Sequence, residues 1–180
     1  MSATIQIKDK KFLLSIPEKE IQIAVERVAQ AINRDLEGED PLFICVLNGA
    51  FMFAGDLMKY VHIPSQITFI KLSSYEGLYT TGEVKEMIGL NESVVGRNVV
   101  VVEDIVDTGL TMERIIASLN SKGAKSIKVA TFLQKPEALQ RDITVDYVAM
   151  KIPNEFIVGY GLDYDGYGRN LRDIYKVVEE

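Results

Sequence analysis

The sequence predicts an α/β fold: a mainly parallel sheet flanked by helices, with a small hood subdomain. Strand-like apolar runs alternate with helical patterns from about Leu42 to Phe132. Strands that are connected in this way lie parallel in one sheet, with helices on both faces. From Arg141 onward, short strand-like runs alternate with Gly and Tyr instead. This change predicts a small C-terminal subdomain rather than another βα unit. We expect this subdomain, with some of the N-terminus, to form a hood over the carboxyl edge of the sheet.

The first predicted element is a helix that begins close to Ser15. Ser15 and Glu18 have the spacing of a capping box, and Pro17 falls in the first turn, where proline is favoured. Gly38 lies just past the end, a position that favours glycine. Between these signals, apolar residues recur at helical spacing, at Ile21, Val25, Val28 and Ile32.

The other elements follow from the length and pattern of the apolar runs. The predicted strands are Leu42–Leu47, Ser65–Leu72, Val99–Val102 and Ser126–Phe132. The predicted helices are Phe51–Val61 and Thr111–Lys122, the second ending at Gly123. Between the second and third strands, residues 73–97 form either a long loop or a β-hairpin, and the pattern leaves both open.

Length and composition indicate one domain. The 180 residues suit a single unit, with a core at about residues 36–135 and the hood at about 136–180 plus part of the N-terminus. The net charge of -6 argues against broad nucleic-acid binding. Cys45, the only cysteine, excludes an internal disulfide and is predicted to be inert core. No signal-peptide or membrane-length apolar run occurs, so we expect a cytoplasmic protein without a membrane or nucleic-acid partner.

The densest functional signal is the segment Val99–Thr111, where a buried strand ends in Glu103 and Asp104 and a helix follows. The loop between them carries Asp107, followed by Thr-Gly-x-Thr. Ligands bind at the carboxyl ends of parallel strands, and a helix N-terminus attracts phosphate through its free N–H groups and its dipole. Gly109 allows close backbone approach. The acids suit sugar hydroxyls, magnesium held through water, or a general base.

Two alternatives compete with a phosphate site in this segment. In one, Asp107 or Thr108 merely caps the helix. In the other, Asp107-Thr108-Gly109 is the catalytic tripeptide of an aspartic protease. That fold is all-β and needs a paired Asp loop, whereas here a helix is predicted to follow. The order of thirteen consecutive residues favours the phosphate site.

The same segment closely resembles the signature with which type I phosphoribosyltransferases bind phosphoribosyl pyrophosphate (PRPP). Its Glu-Asp-Ile-Val-Asp-Thr-Gly form is similar to the hypoxanthine-guanine branch. The resemblance implies that Glu103 and Asp104 bind the ribose hydroxyls, directly or through magnesium, and that Asp107 takes the proton from purine N7. The implied 5′-phosphate loop is Thr108, Gly109, Leu110 and Thr111. Some relatives carry Lys at the position of Leu110.

The resemblance runs along nearly the whole chain and also assigns a base site. Lys135 would donate a hydrogen bond to the purine 6-oxo group, which favours hypoxanthine or guanine over adenine. Phe156 would stack on the purine face, and the Ile157 backbone would pair with the base edge. Asp163 would ligate magnesium, directly or through water.

Two further segments resemble a pyrophosphate site and a lid. Leu47-Asn48-Gly49 would hold pyrophosphate together with Arg169, and the family often has a cis peptide at the position of Leu47–Asn48. Several relatives carry Lys or Arg where Asn48 stands, so this chain lacks a cationic contact there. Ser74 and Tyr75 match the mobile lid of the family, which excludes water when it closes.

The resemblance implies purine salvage. The substrates would be PRPP and a 6-oxopurine, the cofactor Mg²⁺, and the assembly a homodimer or homotetramer. A xanthine-preferring enzyme and a phosphoribosyltransferase-like nucleic-acid-binding regulator are the alternatives. The regulator would be expected to show a basic surface, whereas this chain is acidic and keeps Lys135, Phe156 and Asp163.

Overall fold

The computed structural model describes residues 4–72 and 87–178. In chain order, its strands are β1 (Thr4–Ile7), β2 (Lys10–Ile16), β3 (Leu42–Leu47), β4 (Gln66–Leu72), β5 (Met87–Ile88), β6 (Asn98–Val106), β7 (Ser126–Gln134), β8 (Tyr147–Lys151), β9 (Ile157–Val158) and β10 (Ile174–Val177). The helices are α1 (Glu18–Asp35), α2 (Phe51–Tyr60) and α3 (Leu110–Ser121), and a 3-10 turn covers Pro136–Ala138.

The larger of two sheets is parallel except at one edge. Its strand order is β5-β4-β3-β6-β7-β8, and every ladder from β4 to β8 runs parallel. The predicted α/β fold class, a mainly parallel sheet flanked by helices, is confirmed. β5 pairs antiparallel with β4, through Lys71 with Ile88 and Leu72 with Met87. This antiparallel pairing joins the end of β4 to residues within the segment 73–97, as the hairpin alternative requires.

Helices cover both faces of the larger sheet, which explains why its central strands are continuously apolar. On β3, Phe43 and Cys45 pack in the cluster with α1 and α2, whereas Ile44 and Val46 pack in the cluster with α3. Successive side chains of a strand point to opposite faces, so a strand covered on both sides has no polar face. Continuous apolar runs therefore correctly predict these buried strands, because helices cover both faces of the sheet.

The start of α1 differs from the prediction. Pro17 is its N-cap, and Ser15 lies within β2. The backbone N–H of Glu18 donates instead to Asp173 Oδ1 at 2.7 Å. The capping box predicted from Ser15 and Glu18 was wrong, because a carboxylate far along the chain satisfies the helix N-terminus and no local pattern reveals it.

The strand that carries the acids, β6, and its neighbour β7 are longer than predicted. β6 continues to Val106 and β7 to Gln134, because the two strands pair in register up to these residues. β8 then pairs in parallel with β7, so the larger sheet extends past residue 135, where the sequence places the end of the core. A 3-10 turn and irregular chain precede β8, and this lack of a helix hides the strand from the alternating pattern.

The smaller sheet combines the two ends of the chain. Its order is β1-β2-β10-β9, and all its ladders are antiparallel. We use the name hood for this sheet with the segment at residues 159–173, the hood loop. Within the described residues, no helix is both long and apolar enough to cross a membrane.

Candidate active site

Four segments meet at the carboxyl edge of the larger sheet. Three follow β3, β6 and β7, which are adjacent parallel strands: the β3 loop (residues 47–50), the phosphate loop (residues 107–111) and Lys135. The fourth is the hood loop, which packs against the β3 loop through Gly161. Residues that the sequence singles out in separate places are therefore neighbours at one edge.

The phosphate loop borders a small pocket of about 80 Å³ in front of α3. Gly109, with a φ of +83°, is the N-cap of α3, and the N–H of Leu110, the first helical residue, donates a long hydrogen bond of 3.4 Å to the Thr108 hydroxyl. The first helical bond runs from the N–H of Glu113 to the Gly109 carbonyl at 2.9 Å, so the N–H groups before it have no helical acceptor. The Thr108 hydroxyl satisfies only the first N–H of the helix, so the N–H groups that follow it suit a phosphate. The residues that line the pocket include Glu103, Asp107, Thr108 and Thr111.

The chain after β7 supports the phosphate loop from outside. The N–H of Gln140 donates to the Thr108 carbonyl at 3.0 Å. A Cβ on Gly109 would lie 2.9 Å from the end of the Leu139 side chain and 3.1 Å from that of Ile143. These flexible ends could shift, so the positive φ is the main reason for glycine here. Sequence reasoning missed these supports, because isolated apolar residues in an irregular segment give no functional signal.

Glu103 is buried and Asp104 is half-buried beside it, near the end of β6. Burial raises the pKa of Glu103 well above its usual range, and the neighbouring charge of Asp104 raises it further. Burial also raises the pKa of Asp104, against the hydrogen bonds it accepts and the charge of Arg169. Carboxylates withdrawn from water need donors or a cation to offset their lost hydration, so this pair is suited to binding hydroxyls or a hydrated metal.

The thiol of Cys45 lies in the sheet beside these acids. Burial raises the pKa of Cys45 to about 12, and the charges of Glu103 and Asp104 contribute. A thiol with such a pKa is not a nucleophile at neutral pH, which supports the prediction of inert core.

The β3 loop is wedged between the core acids and the hood loop. The peptide bond Leu47–Asn48 is cis, as the resemblance implies. A Cβ on Gly49 would lie 1.4 Å from Asp104 Oδ2, and one on Gly161 would lie 2.0 Å from the Gly49 carbonyl oxygen. Both positions therefore require glycine. The side chain of Asn48 is exposed at this edge.

Asp107 and Lys135 face each other across two strand ends. Lys135 Nζ is 3.7 Å from Asp107 Oδ2, and the N–H of Lys135 donates to the Val106 carbonyl at 3.0 Å. The Asp107 side chain is 47% exposed and that of Lys135 only 10%. The pair thus combines an accessible carboxylate, able to accept a proton, with an ammonium held at a defined place.

The hood loop contributes a second charged pair. Arg169 Nη2 is 2.6 Å from Asp163 Oδ1, and Arg169 Nη1 donates to the Gly161 carbonyl at 2.7 Å. The other carboxylate oxygen of Asp163 accepts the N–H of Gly166 at 2.6 Å. These contacts fix the guanidinium close to the β3 loop, where its charge offsets part of the rise that burial causes in the pKa of Asp104.

The predicted base-stacking residue lies on the hood. The Phe156 ring is exposed and stands edge-on to Tyr164, with ring centroids 5.8 Å apart, and Phe12 lies behind it at 6.3 Å. Ile157 is buried in β9. An exposed ring supported by other rings suits stacking on a flat ligand. The predicted lid residues, Ser74 and Tyr75, lie outside the described residues.

The acids of this edge fit a metal that arrives with its substrate. In residues 4–72 and 87–178, no three metal-ligating side chains come together. The carboxylates occur as Glu103 with Asp104, and as Asp163 beside Arg169. Mg²⁺ is commonly held by one or two carboxylates together with water and substrate phosphates, and this donor set fits that kind of binding.

Comparison with known proteins agrees with this geometry. Residues 16–165 match the model of the phosphoribosyl transferase domain. The chain is 39% identical over 172 residues to the hypoxanthine-guanine phosphoribosyltransferase of Streptococcus thermophilus, an alignment that covers 95% of this chain and 94% of the relative.

Two solved structures are similar over almost the entire chain. A hypoxanthine-guanine phosphoribosyltransferase from Bacillus anthracis has a TM-score of 0.82 and 40% identity, covering 96% of this chain and 100% of that one. A hypoxanthine phosphoribosyl transferase from Trypanosoma cruzi has a TM-score of 0.85 and 34% identity, covering 97% and 95%. The likeness therefore extends to the hood as well as to the core.

Proposed function

This chain belongs to the phosphoribosyltransferase family, and on that premise we propose that it transfers the 5-phosphoribosyl group from PRPP to hypoxanthine and guanine. The products are IMP or GMP and pyrophosphate, and the reaction serves purine salvage. The relatives named for hypoxanthine and guanine support this class of base. The observation that carries the proposal is the Asp107–Lys135 pair, 3.7 Å apart beside the phosphate pocket.

The reaction is a substitution at the anomeric carbon of the ribose. A purine nitrogen forms the new bond to C1′, and the bond from C1′ to pyrophosphate breaks, with its electron pair leaving on the pyrophosphate oxygen. Asp107 accepts the proton that the purine loses at N7. Lys135 stabilises the negative charge that shifts onto the purine 6-oxo group in the same step.

Different groups of residues bind the three parts of PRPP, which are the 5′-phosphate, the ribose hydroxyls and the pyrophosphate. The backbone N–H groups of residues 108–111 and the hydroxyls of Thr108 and Thr111 bind the 5′-phosphate. Glu103 and Asp104 bind the ribose hydroxyls. Arg169 and the β3 loop, with its residues Leu47, Asn48 and Gly49, bind pyrophosphate, where the guanidinium offsets charge that builds on the leaving group.

We propose Mg²⁺ as the cofactor, carried by the phosphates of PRPP. Asp163 would hold it on the pyrophosphate side and Glu103 with Asp104 on the ribose side. When bound, the metal supplies charge neutralisation for pyrophosphate. The raised pKa values of the two acids support a need for a cation, because both carboxylates ionise more readily beside one.

The choice of base follows from the donor at Lys135. An ammonium donates to the 6-oxo group of hypoxanthine or guanine, but it meets a second donor in the 6-amino group of adenine. A donor left without an acceptor at a largely buried position is costly, so adenine should be rejected. Phe156 contributes stacking, which is similar for all purines and adds no selectivity.

The assembly we propose is a homodimer or homotetramer. Ile67 and Phe69 on β4 are 37% and 44% exposed. Their register partners on β3, Phe43 and Cys45, are buried. Exposed apolar side chains beside a buried core support an interface in which a second copy of the chain covers them. Light scattering should give a dimer or tetramer mass, and Phe69→Asp should lower it; a monomeric wild type would contradict this.

The cytoplasmic location stays a prediction.

The decisive experiment is an initial-rate comparison of four bases with PRPP and Mg²⁺. Hypoxanthine and guanine should be converted, xanthine more slowly and adenine far more slowly still, and excess chelator should stop the reaction. The regulator alternative is tested beside it with an electrophoretic shift assay on RNA and DNA. Nucleic-acid binding without turnover of any base would overturn the proposal.

A further inference from the structure

Tyr160 is a buried residue that the catalytic scheme leaves unused. It lies in the hood loop, is 1% exposed, and has a φ of +45°. Its neighbours Gly159 and Gly161 also have positive φ, at +109° and +97°. A non-glycine residue is uncommon in this region of φ and is retained where its surroundings hold it there. The contacts of Tyr160 are therefore informative.

Both contacts of Tyr160 lead from the hood to the core. Its hydroxyl donates to Asp56 Oδ2 at 2.7 Å, and its ring lies 4.7 Å from that of Phe132, centroid to centroid. Asp56 belongs to α2 and Phe132 to β7. Asp56 also accepts hydrogen bonds from Gln22 and Lys59, each at 2.7 Å. Helix α1, helix α2 and the hood loop therefore converge on one carboxylate.

The charge state of this pair is well defined. Burial alone would raise the pKa of Asp56, but the hydrogen bonds from Lys59, Gln22 and Tyr160 outweigh it and leave the pKa below its usual value. Burial, with the negative charge of Asp56, raises the pKa of Tyr160. A neutral phenol thus donates to an ionised carboxylate throughout the neutral range, and such hydrogen bonds are among the stronger ones.

The residue after Tyr160 connects this bond to the pyrophosphate residues. Gly161 packs on the Gly49 carbonyl and exchanges two hydrogen bonds with Arg169, from its N–H at 3.0 Å and to its carbonyl at 2.7 Å. Arg169 in turn holds Asp163 at 2.6 Å. A shift of Tyr160 would therefore move Arg169 and Asp163 relative to the β3 loop. The phosphate loop has different supports and would stay in place.

We infer that Asp56 and Tyr160 are positioning residues for the pyrophosphate half of the site. Their hydrogen bond fixes the position of the hood loop relative to the core, so that Arg169 and Asp163 face the β3 loop. The inference rests on the proposed function, because it takes pyrophosphate as the ligand. It gives α2 a part in pyrophosphate affinity and none in binding the 5′-phosphate of the nucleotide.

The test is the reverse reaction, IMP with pyrophosphate, in Tyr160→Phe. This variant keeps the ring and removes only the hydroxyl. The KM for pyrophosphate should rise several-fold, with about tenfold as the limit if the whole energy of one hydrogen bond to a charged group were lost from binding. The KM for IMP should stay within about twofold of wild type. In the double variant Tyr160→Phe with Asp56→Ala, the KM for pyrophosphate should be no higher than in the more strongly affected single variant. Both substitutions remove the same hydrogen bond, so their effects should not add.

Two controls separate positioning from loss of packing. Tyr147→Phe removes the hydroxyl of another buried tyrosine, in the same apolar cluster but on β8. Lys59→Ala removes an exposed partner of Asp56 and leaves the bond from Tyr160. Both should keep the KM for pyrophosphate near wild type. An unchanged KM for pyrophosphate in Tyr160→Phe, or an equal rise in both KM values, would overturn the inference.

A second readout works without catalysis. The N–H groups of Tyr160 and Gly161 donate to the carbonyls of Leu171 and Arg169, so their hydrogen exchange should be faster in Tyr160→Phe than in wild type. If wild type shows no turnover, the proposed function fails, but this exchange still tests the positioning contact. Unchanged exchange would show that the hydroxyl does not hold the hood loop.

Discussion

The phosphate loop and the hood loop serve the same edge of the sheet but are built in opposite ways. The phosphate loop is one continuous stretch between β6 and α3, with its ligand groups largely on the backbone. The hood loop depends on side chains held from far along the chain, such as Tyr160 on Asp56 and the helix cap from Asp173 to Glu18. The structure of a continuous loop is determined largely by its own residues. The structure of the hood loop also depends on contacts with residues that are distant in the sequence.

The largest expected effect falls on the phosphate loop side. Asp107→Asn keeps the shape of the residue and removes the proposed base, so kcat should fall about 100-fold or more. The KM for PRPP should change little, since the backbone N–H groups remain. Steady-state kinetics with hypoxanthine would check it. A near-normal kcat would mean that Asp107 is not the base and that this loop only binds.

On the hood side, Asp163→Asn should lower activity about tenfold and raise the Mg²⁺ concentration needed for half-maximal rate. The variant loses the carboxylate that we propose as a metal ligand, and Arg169 loses its charged partner 2.6 Å away. A magnesium titration of the variant and wild type would measure this. Asp165→Asn, on the outer face of the same loop and paired with Lys8, is the matched control and should leave the titration unchanged.

Lys135 lies between the two regions, and its removal should alter selectivity more than rate. Lys135→Ala removes the donor to the 6-oxo group, so the preference for hypoxanthine over adenine in kcat/KM should fall by about tenfold or more. Lys151→Ala, at the exposed end of β8, is the control. Lys135→Arg is unsuitable as one because the guanidinium is wider and planar. An unchanged ratio of the two bases would remove Lys135 from base recognition.

The smallest effect concerns stability. The pKa of Glu103 is raised in the folded state, so its proton binds more tightly there than in the unfolded chain. Its contribution to stability is fully present below the ordinary value near 4.5 and is lost as pH rises through the folded pKa. Glu103→Gln should therefore raise the free energy of unfolding at neutral pH in chelator, by about 1 kcal/mol, the usual size for a single stabilising substitution.

Denaturant unfolding at several pH values would measure this change. The gain should shrink as pH falls toward the unfolded pKa, because wild-type Glu103 then carries a proton as well. Activity should fall in the same variant, which would mark Glu103 as a residue kept for function at the expense of stability. A destabilised variant at neutral pH would contradict the burial argument.

The contrast between the loops also explains what the sequence could predict. The parallel sheet, its helices and the Glu103–Thr111 segment follow from local patterns, since apolar runs and a strand-loop-helix order need no knowledge of distant residues. The cap of α1 by Asp173, the pairing of β8 and the contact between Gly49 and Gly161 do not. Each depends on two segments that the fold alone brings together. Lys135 and Arg169 became candidates only through family resemblance.

The most direct test of a single site built from both loops is a crystal structure of the protein with IMP and pyrophosphate. The 5′-phosphate should lie against the N–H groups of residues 108–111, with the 6-oxo group at Lys135 and the base on Phe156. Pyrophosphate should lie between Arg169 and the β3 loop. A nucleotide bound elsewhere, or a phosphate that avoids the start of α3, would contradict the shared site.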